Sequence, residues 1–274
     1  MSSHLAGKAV IMARGLGTRM RREAAGAPLS AEQASAAARG VKALIPIGQR
    51  PFLDYVVSGL ADAGFDQVCL VIGPEHDELR RYYTVESPPA RVRMAFAVQQ
   101  EPRGTADAVL SARAFAANDP FIVINSDNYY PVEALAAMRT LEGPGLPAFD
   151  ADALVRLGNI ERERVARYAL LRLTVDDCLE HVIEKPDVAQ VSAMGSSAWV
   201  SMNCWRFSPR IFDACERVTP SPRGELELVE AVQRVIAAGE RFRVVKFHLP
   251  VLDMTSRSDI ADVARRLSHL EVRP

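Results

Sequence analysis

Lys8-Ala9-Val10-Ile11-Met12-Ala13-Arg14-Gly15-Leu16-Gly17-Thr18-Arg19 is the stretch whose reading decides the fold. Ala9 to Ala13 is short and apolar, the texture of a parallel strand buried on both faces. It stops in a loop where Gly15 and Gly17 let the backbone turn tightly and bring its N–H groups close to an anion. Arg19 adds a planar cationic fork suited to phosphate oxygens. The loop reads as a cradle for a nucleotide triphosphate; an ordinary strand-to-helix turn stands beside that reading. Two better-known glycine loops are excluded. Met20 occupies the place of the third glycine of Gly-x-Gly-x-x-Gly, which also weakens a dinucleotide dehydrogenase, and no Gly-Lys-Ser/Thr follows.

Downstream the chain alternates between the two periods. After Pro51 a helix is expected to about residue 63, then a strand over 67–72, a helix over 75–82, a strand over 92–98, a helix over 104–116, a strand over 120–125 and a helix over 131–139. Strand and helix in turn predict a three-layer, Rossmann-like α/β fold with a mixed, mostly parallel central sheet and a ligand site at the carboxyl ends of the strands. From residue 150 the texture changes. Residues 151–157, 168–173, 179–183 and 198–207 read as strands, 208–216, 224–238 and 256–270 as helices, and 241–247 and 251–253 as strands. Residues 20–40 are alanine-rich, with Ser30 placed to cap a short helix that ends at Gly40; they suit a flap over the site or a plain surface insertion equally.

The bulk numbers agree with one domain over residues 1–274, with 8–139 as a nucleotide-binding part, 150–253 as a second part, and no linker between them. A net charge of −1 gives no basic field, so neither nucleic acid nor an anionic membrane is an expected partner, and anionic ligands must be held by local charge. Cys69, Cys178, Cys204 and Cys215 form no Cys-x-x-Cys pair and read as free, mostly buried thiols of a cytoplasmic protein. No run approaches 18 apolar residues, and residues 1–7 are too short and polar for a signal peptide. The five histidines, His4, His76, His181, His248 and His269, show no metal-ligand spacing.

Read in order, the motifs become specific. After Gly15-Leu16-Gly17-Thr18-Arg19 come Lys42-Ala43-Leu44-Ile45-Pro46-Ile47 with Arg50-Pro51, then Gln99-x-x-Pro102-x-Gly104-Thr105-Ala106-x-Ala108, Asp127-Asn128, Tyr168, Glu184-Lys185-Pro186, Gly224-Glu225-Leu226 and Leu252-Asp253. This order resembles the sugar-1-phosphate nucleotidylyltransferases, or nucleoside-diphosphate-sugar pyrophosphorylases, most of all the glucose-1-phosphate thymidylyltransferase type, from about residue 8 to 264. The resemblance implies joining of a nucleoside triphosphate to a sugar 1-phosphate with release of pyrophosphate, assisted by Mg2+. A phosphate is already an anion at neutral pH, so such a protein positions polyanions and neutralises charge rather than supplying a nucleophile. By resemblance, Arg19, Lys42, Asp127 and Lys185 carry the chemistry. Ala13, Arg14, Gly15, Gly17, Thr18, Arg19, Gln99, Gly104 and Thr105 hold the nucleotide, with Gly104 bare so that the base has room. Tyr168, Glu184, Lys185 and Asn203 hold the sugar phosphate, and Asp127 and Asp253 hold Mg2+. A homo-oligomer is compatible with this reading.

Taken singly, several of these residues have plainer readings. Asp127 suits a strand-end turn, Glu184 and Lys185 a solvated pair, and Asp253 a cap for the last helix. Trp199 and Trp205 suit core packing or the sugar pocket. The chain also departs from the family pattern. Arg14 stands where the loop has glycine or alanine, and should project near the nucleotide. Ser126 precedes Asp127 in place of glycine, Met202-Asn203-Cys204 replaces a late-strand glycine, and Met254 follows Asp253 where glycine is usual. No repeat-built β-helix tail is seen. The alternative these departures leave is a nucleotide- or sugar-phosphate-binding module of the same fold with impaired catalysis.

Overall fold

A computed structural model describes residues 5–15, 17–21, 29–184, 186 and 198–274. In its first part the elements are β1 (Lys8–Met12), α1 (Thr18–Arg21), α2 (Ala31–Arg39), β2 (Pro46–Ile47), β3 (Arg50–Pro51), α3 (Phe52–Asp62), β4 (Gln67–Ile72), α4 (Asp77–Arg81), β5 (Arg93–Val98), α5 (Thr105–Ser111) and α6 (Arg113–Ala116). There follow β6 (Phe121–Asn125), β7 (Asn128–Tyr129), α7 (Val132–Thr140), β8 (Gly145–Asp150), α8 (Ala151–Arg156), α9 (Arg162–Val165), β9 (Ala169–Leu173) and β10 (Leu179–Ile183). The last part holds β11 (Trp199–Ser201), β12 (Trp205–Phe207), α10 (Arg210–Glu216), α11 (Leu228–Ala237), β13 (Arg243–Phe247), β14 (Leu252–Asp253) and α12 (Arg257–Leu267).

Side chains along a strand point alternately to the two faces of its sheet, and three core strands show what that does here. Ala9 and Ile11 of β1, Val68 and Leu70 of β4, and Ile122 and Ile124 of β6 enter one hydrophobic core, with α3, α7 and α12 laid over it. Their neighbours Val10, Cys69, Val71, Phe121 and Val123 enter a second core on the other face, under α5, α10 and α11. Both faces are covered, which is why these strands are apolar without alternation.

The parallel half of the sheet runs β6-β1-β4-β5, with Ala9 of β1 opposite Val68 and Ile122. On the far side of β6 the sheet continues through antiparallel β12, β8, β11, β9 and β10, while β13 lies parallel to β8. The result is a mixed sheet with a parallel core and helices on both faces.

Several local expectations hold. The strand at 67–72 is found at those bounds, and Ser30 caps α2 through its hydroxyl, which accepts from the Gln33 N–H at 3.1 Å, while Gly40 ends the helix. Ala36 and Ala37 pack into the core, so α2 is anchored by its small residues. Residues 22–28 lie outside the described residues.

Others are corrected. Residues 151–156 form helix α8, not a strand: the Asp150 carboxylate accepts from the Ala153 N–H at 2.7 Å and starts a helix of good formers. The strand is the preceding Gly145–Asp150, where Gly145 and Pro147 disguise it. Pro147 is tolerated because β12 meets β8 only at Gly145 and β11 begins at Ala148, so the residue without an N–H faces the break between them. That break, Met202-Asn203-Cys204, divides the expected strand 198–207 into β11 and β12. Trp199 and Trp205 therefore lie on different strands. Trp205 is buried in the core against Phe207 and Phe242, while half-buried Trp199 meets His248 and the Lys246 ammonium.

Candidate functional site

The carboxyl ends of β1, β4, β5 and β6 open onto a cavity of about 420 Å³, within the usual size of small-ligand sites. The glycine loop after β1 forms its floor. Ala13, Arg14, Gly15 and Thr18 line it, as do Lys42, Gln99, Gly104, Thr105 and Asp127 from distant parts of the chain. A short 3-10 turn over Lys42–Leu44 brings the lysine in.

On the β6 side the Lys42 ammonium lies 2.7 Å from Asp127 Oδ2, both side chains mostly shielded. The expected cation and the expected metal carboxylate thus neutralise one another across 85 residues of sequence. Gly15 faces open space, so its backbone is accessible to a ligand. Gly17 has a different reason: its φ is +59°, and a Cβ there would lie 2.3 Å from the Gly40 carbonyl oxygen. Arg19 is exposed on α1 and is not among the residues lining the cavity. Leu16 lies outside the described residues.

On the β5 side, buried Gln99 donates through Nε2 to the Gly104 carbonyl at 3.0 Å and to the Asp107 carboxylate at 2.9 Å. Both partners are acceptors, which fixes which end of the amide is which and turns Oε1 into the atom left for a ligand. Gly104 lines the cavity and has a packing reason of its own. A Cβ there would stand 2.4 Å from the Leu226 carbonyl oxygen and 2.6 Å from its nitrogen, and φ is +123°. The bare position lets the Gly224-Glu225-Leu226 segment pair with Arg103 and Ala106, so the packing of backbone by itself demands glycine here. Thr105 Oγ1 accepts from the Leu228 N–H at the start of α11.

Asp253 is set apart from this wall. It is 2% exposed and does not line the cavity. Its Oδ2 accepts from Arg164 Nη2 at 2.6 Å and from the Tyr168 hydroxyl, and the Thr255 hydroxyl reaches both oxygens at 2.8 Å. Arg164 Nη1 reaches Asp259 at 2.6 Å, and Asp259 accepts from the Ser256 N–H to cap α12. Capping falls to Asp259 rather than to Asp253. Burial, with the nearby Asp127 charge adding, raises the Asp253 carboxyl above the ordinary range, although Tyr168, Arg164 and Thr255 pull it down.

The donor set can be tested against a hard divalent cation. Asp127 fits: its carboxylate lines the cavity and needs only to share Lys42 with incoming phosphate oxygens. Asp253 does not fit in this arrangement, because both its oxygens already accept and its charge is met by the Arg164 guanidinium. Among the described residues no group of three His, Cys, Asp or Glu side chains comes together as a metal site.

The expected sugar residues are not all brought to the cavity wall. Tyr168 is turned to Asp253, Glu184 is exposed beside Glu227, and Lys185 lies outside the described residues. Glu227 is held down to about 2, first by its hydrogen bond with Glu184 and, against the cost of burial, by Arg223. Asn203 takes φ +54° in the break between β11 and β12. Asparagine tolerates that left-handed conformation, so the loss of the family glycine leaves the backbone path intact. Sequence reasoning missed Arg164, Asp107 and Glu75. Arg164 sits in Glu161-Arg162-Glu163-Arg164, which reads as a solvated charge run.

With this geometry in place, similarity to known proteins is informative. The family described as Nucleotidyl transferase matches residues 8–262, nearly the whole chain. The chain belongs to the nucleotidyl transferase family. Within that family it is 29% identical over 236 residues to a glucose-1-phosphate thymidylyltransferase of Streptomyces griseus, covering 86% of this chain and 59% of that one. It is 25% identical over 260 residues to the UTP--glucose-1-phosphate uridylyltransferase AglF of Haloferax volcanii, covering 95% and 96%. The chain spans less than three fifths of the length of the first curated relatives it matches. A solved UDP-glucose pyrophosphorylase complexed with UDP-glucose shares the fold, with a TM-score of 0.73 at 20% identity over 96% of this chain and 99% of that one. The four cysteines are free and buried, and among the described residues no helix is long and apolar enough to cross a membrane.

Proposed function

We propose that this nucleotidyl transferase joins a nucleoside triphosphate to a sugar 1-phosphate, giving a nucleoside-diphosphate sugar and pyrophosphate. One observation carries the reading: a single cavity at the strand ends has the Lys42–Asp127 pair at one end and the oriented Gln99 amide at the other, with the glycine loop between. Three interstrand steps separate β6 from β5, roughly 14 Å in all, a span suited to a nucleotide laid from phosphate to base.

In the reaction a phosphate oxygen of the sugar 1-phosphate forms a bond to the α-phosphorus. The bond from that phosphorus to the bridging oxygen breaks, and pyrophosphate leaves with the electron pair. No proton need be removed from the attacking oxygen, so the absence of a Ser-His-Asp arrangement among the candidate residues is no obstacle. Lys42 and the Gly15 backbone neutralise and orient the triphosphate, and Arg19 would brace the leaving pyrophosphate from the loop's rim. Asp127 would hold Mg2+, which would supply charge neutralisation at the phosphates. Lys185 would meet the sugar phosphate, with Glu184, Tyr168 and Asn203 on the sugar side. Four unpaired thiols support a reducing cytoplasm as the setting.

Pyrophosphate release measured across the common triphosphates and a set of sugar 1-phosphates tests the function. Release that requires both substrates is expected; nucleotide binding without release from any pair would leave only a binding module. In the same assay Lys185→Ala should raise KM for the sugar 1-phosphate by about tenfold or more, with KM for the triphosphate within about twofold. An equal rise in both would contradict its role at the sugar phosphate.

A further inference from the structure

Arg14 is the residue of the cavity whose chemistry is unspent. It is 9% exposed, and it lines the cavity wall. Its Nε and Nη1 are closed off from solvent without a hydrogen-bond acceptor. Half-exposed Glu75 stands 3.6 Å from Nε, a charge contact too long for a hydrogen bond. A guanidinium has five N–H donors and no acceptor, and leaving donors buried and unmatched costs stability. Nε and Nη1 lie out of a ligand's reach, but Nη2, which is not closed off and has no acceptor among the described residues, is the donor left for a ligand in the cavity.

Topology says which end of the ligand that is. Ala13 donates its N–H to Val71 of β4, and Arg14 then leans over the loop that follows β4, where Glu75 lies. Lys42 and Asp127 stand at the opposite, β6 end. Gln99 follows β5, one strand beyond β4, and its N–H meets the Ile72 carbonyl. Arg14 is therefore on the β4–β5 side of the cavity, the side on which Gln99 Oε1 is the acceptor left for a ligand.

We propose that Arg14 is a specificity-determining residue of the nucleobase end, donating to a ring carbonyl while Gln99 Oε1 accepts from the adjacent ring N–H. Together they read the –NH–C(=O)– edge that uracil, thymine and guanine present. Cytosine offers a ring acceptor beside an amino group at that edge, and adenine has no carbonyl. The inference rests on the nucleotidyl-transfer reading for the presence of a nucleotide, but it concerns binding and is tested without turnover.

Calorimetric titration with UTP, GTP, CTP, ATP and tripolyphosphate provides the test, on the full chain and on Arg14→Ala. The full chain should bind UTP or GTP at least about tenfold more tightly than CTP and ATP, since a site built to hydrogen-bond a polar edge rejects ligands that leave it unpaired. Arg14→Ala should lose about tenfold or more for the preferred triphosphate and change tripolyphosphate affinity by less than about twofold. Its thermal midpoint should be unchanged or higher, because removing unmatched buried donors relieves the fold. Equal losses for triphosphate and tripolyphosphate would make Arg14 a phosphate clamp and overturn the proposal. So would no base preference in the full chain, or no loss on substitution. Should Arg14→Ala not fold, Arg14→Gln, which keeps much of the bulk and a donor but not the fork, carries the same comparison with a smaller loss of base preference. Failure of the pyrophosphate assay alone, with base discrimination and its loss intact, would count against the transfer reaction and for this assignment.

Discussion

Asp127→Asn is expected to lower kcat for pyrophosphate release by about two to three orders of magnitude while leaving the fold intact, a loss of the size seen when one electrostatic contact to a developing charge is removed. Asparagine keeps the shape of the side chain. The strand-end geometry is held by backbone, since the Met254 N–H donates to the Asp127 carbonyl. What disappears is the cavity-wall carboxylate beside Lys42, the one placed to hold a divalent cation at the phosphates among the described residues. A second consequence separates this account from a general loss of structure. Asp127 neutralises Lys42 at 2.7 Å, so the variant releases that ammonium to the phosphates. Without metal, Asp127→Asn should bind the triphosphate as tightly as the unaltered chain or more tightly. Unchanged turnover would remove Asp127 from the reaction. Weakened metal-free binding would mean that the Lys42–Asp127 pair shapes the site instead of tuning its charge.

Arg164→Ala is expected to cost about 3–5 kcal/mol of stability, because it strands partners that are buried and charged. Arg164 is 12% exposed in its side chain and lies between Asp253 and Asp259, themselves 3% and 7% exposed. Those carboxylates belong to β14 and to the cap of α12, so the guanidinium ties the last helix to the edge of the site. At about 2–4 °C per kcal/mol for chains of this order, the midpoint should fall by roughly 10 °C. The loss should shrink as pH falls. The Asp253 carboxyl is already raised above its unfolded value by burial and by Asp127, and removing Arg164 takes away one of the groups that pull it down. A group raised in the folded state stabilises below its unfolded value and loses that contribution as pH rises through its folded value, so acid relieves the variant. Thermal unfolding at two pH values checks both points. A midpoint within about 2 °C of the unaltered chain would mean that the cluster contributes little.

These two residues mark where the sequence was legible and where it was not. Asp127 was readable because it ends an apolar strand and stands in a recognisable order of motifs. The layers were readable for a similar reason: β1, β4 and β6 are short apolar runs bounded by turn residues, and α2 carries its own start and stop in Ser30 and Gly40. The strand β8 was hidden because Gly145 and Pro147 are poor strand residues, tolerated only where β11 and β12 leave a gap. That gap is a fact of tertiary pairing. Arg164 was hidden because its partners lie 89 and 95 positions away, and a charged run beside an apolar segment looks solvated until the chain closes over it. Gly104 carries a demand that its neighbours in sequence do not show. Its glycine is demanded by the backbone of Leu226, more than 120 residues on, and no local pattern carries that information.

Asp253 shows the cost of carrying a residue over by order alone. Its place after Leu252 matches the metal-holding aspartate of the resemblance, yet here its oxygens serve Arg164, Tyr168 and Thr255. Arg14 shows the reverse. It departs from the resemblance, and its unmatched donors make it the residue through which this chain would differ from its relatives in base preference.

The central claim is tested most directly by phosphorus NMR of the full chain with Mg2+, glucose 1-phosphate and the triphosphate it binds most tightly. The account predicts that the triphosphate signals disappear only when the sugar phosphate is present. One inorganic pyrophosphate and one sugar-linked diphosphate should form for each triphosphate consumed. Triphosphate loss that does not depend on the sugar phosphate, or release of orthophosphate in place of pyrophosphate, would contradict it.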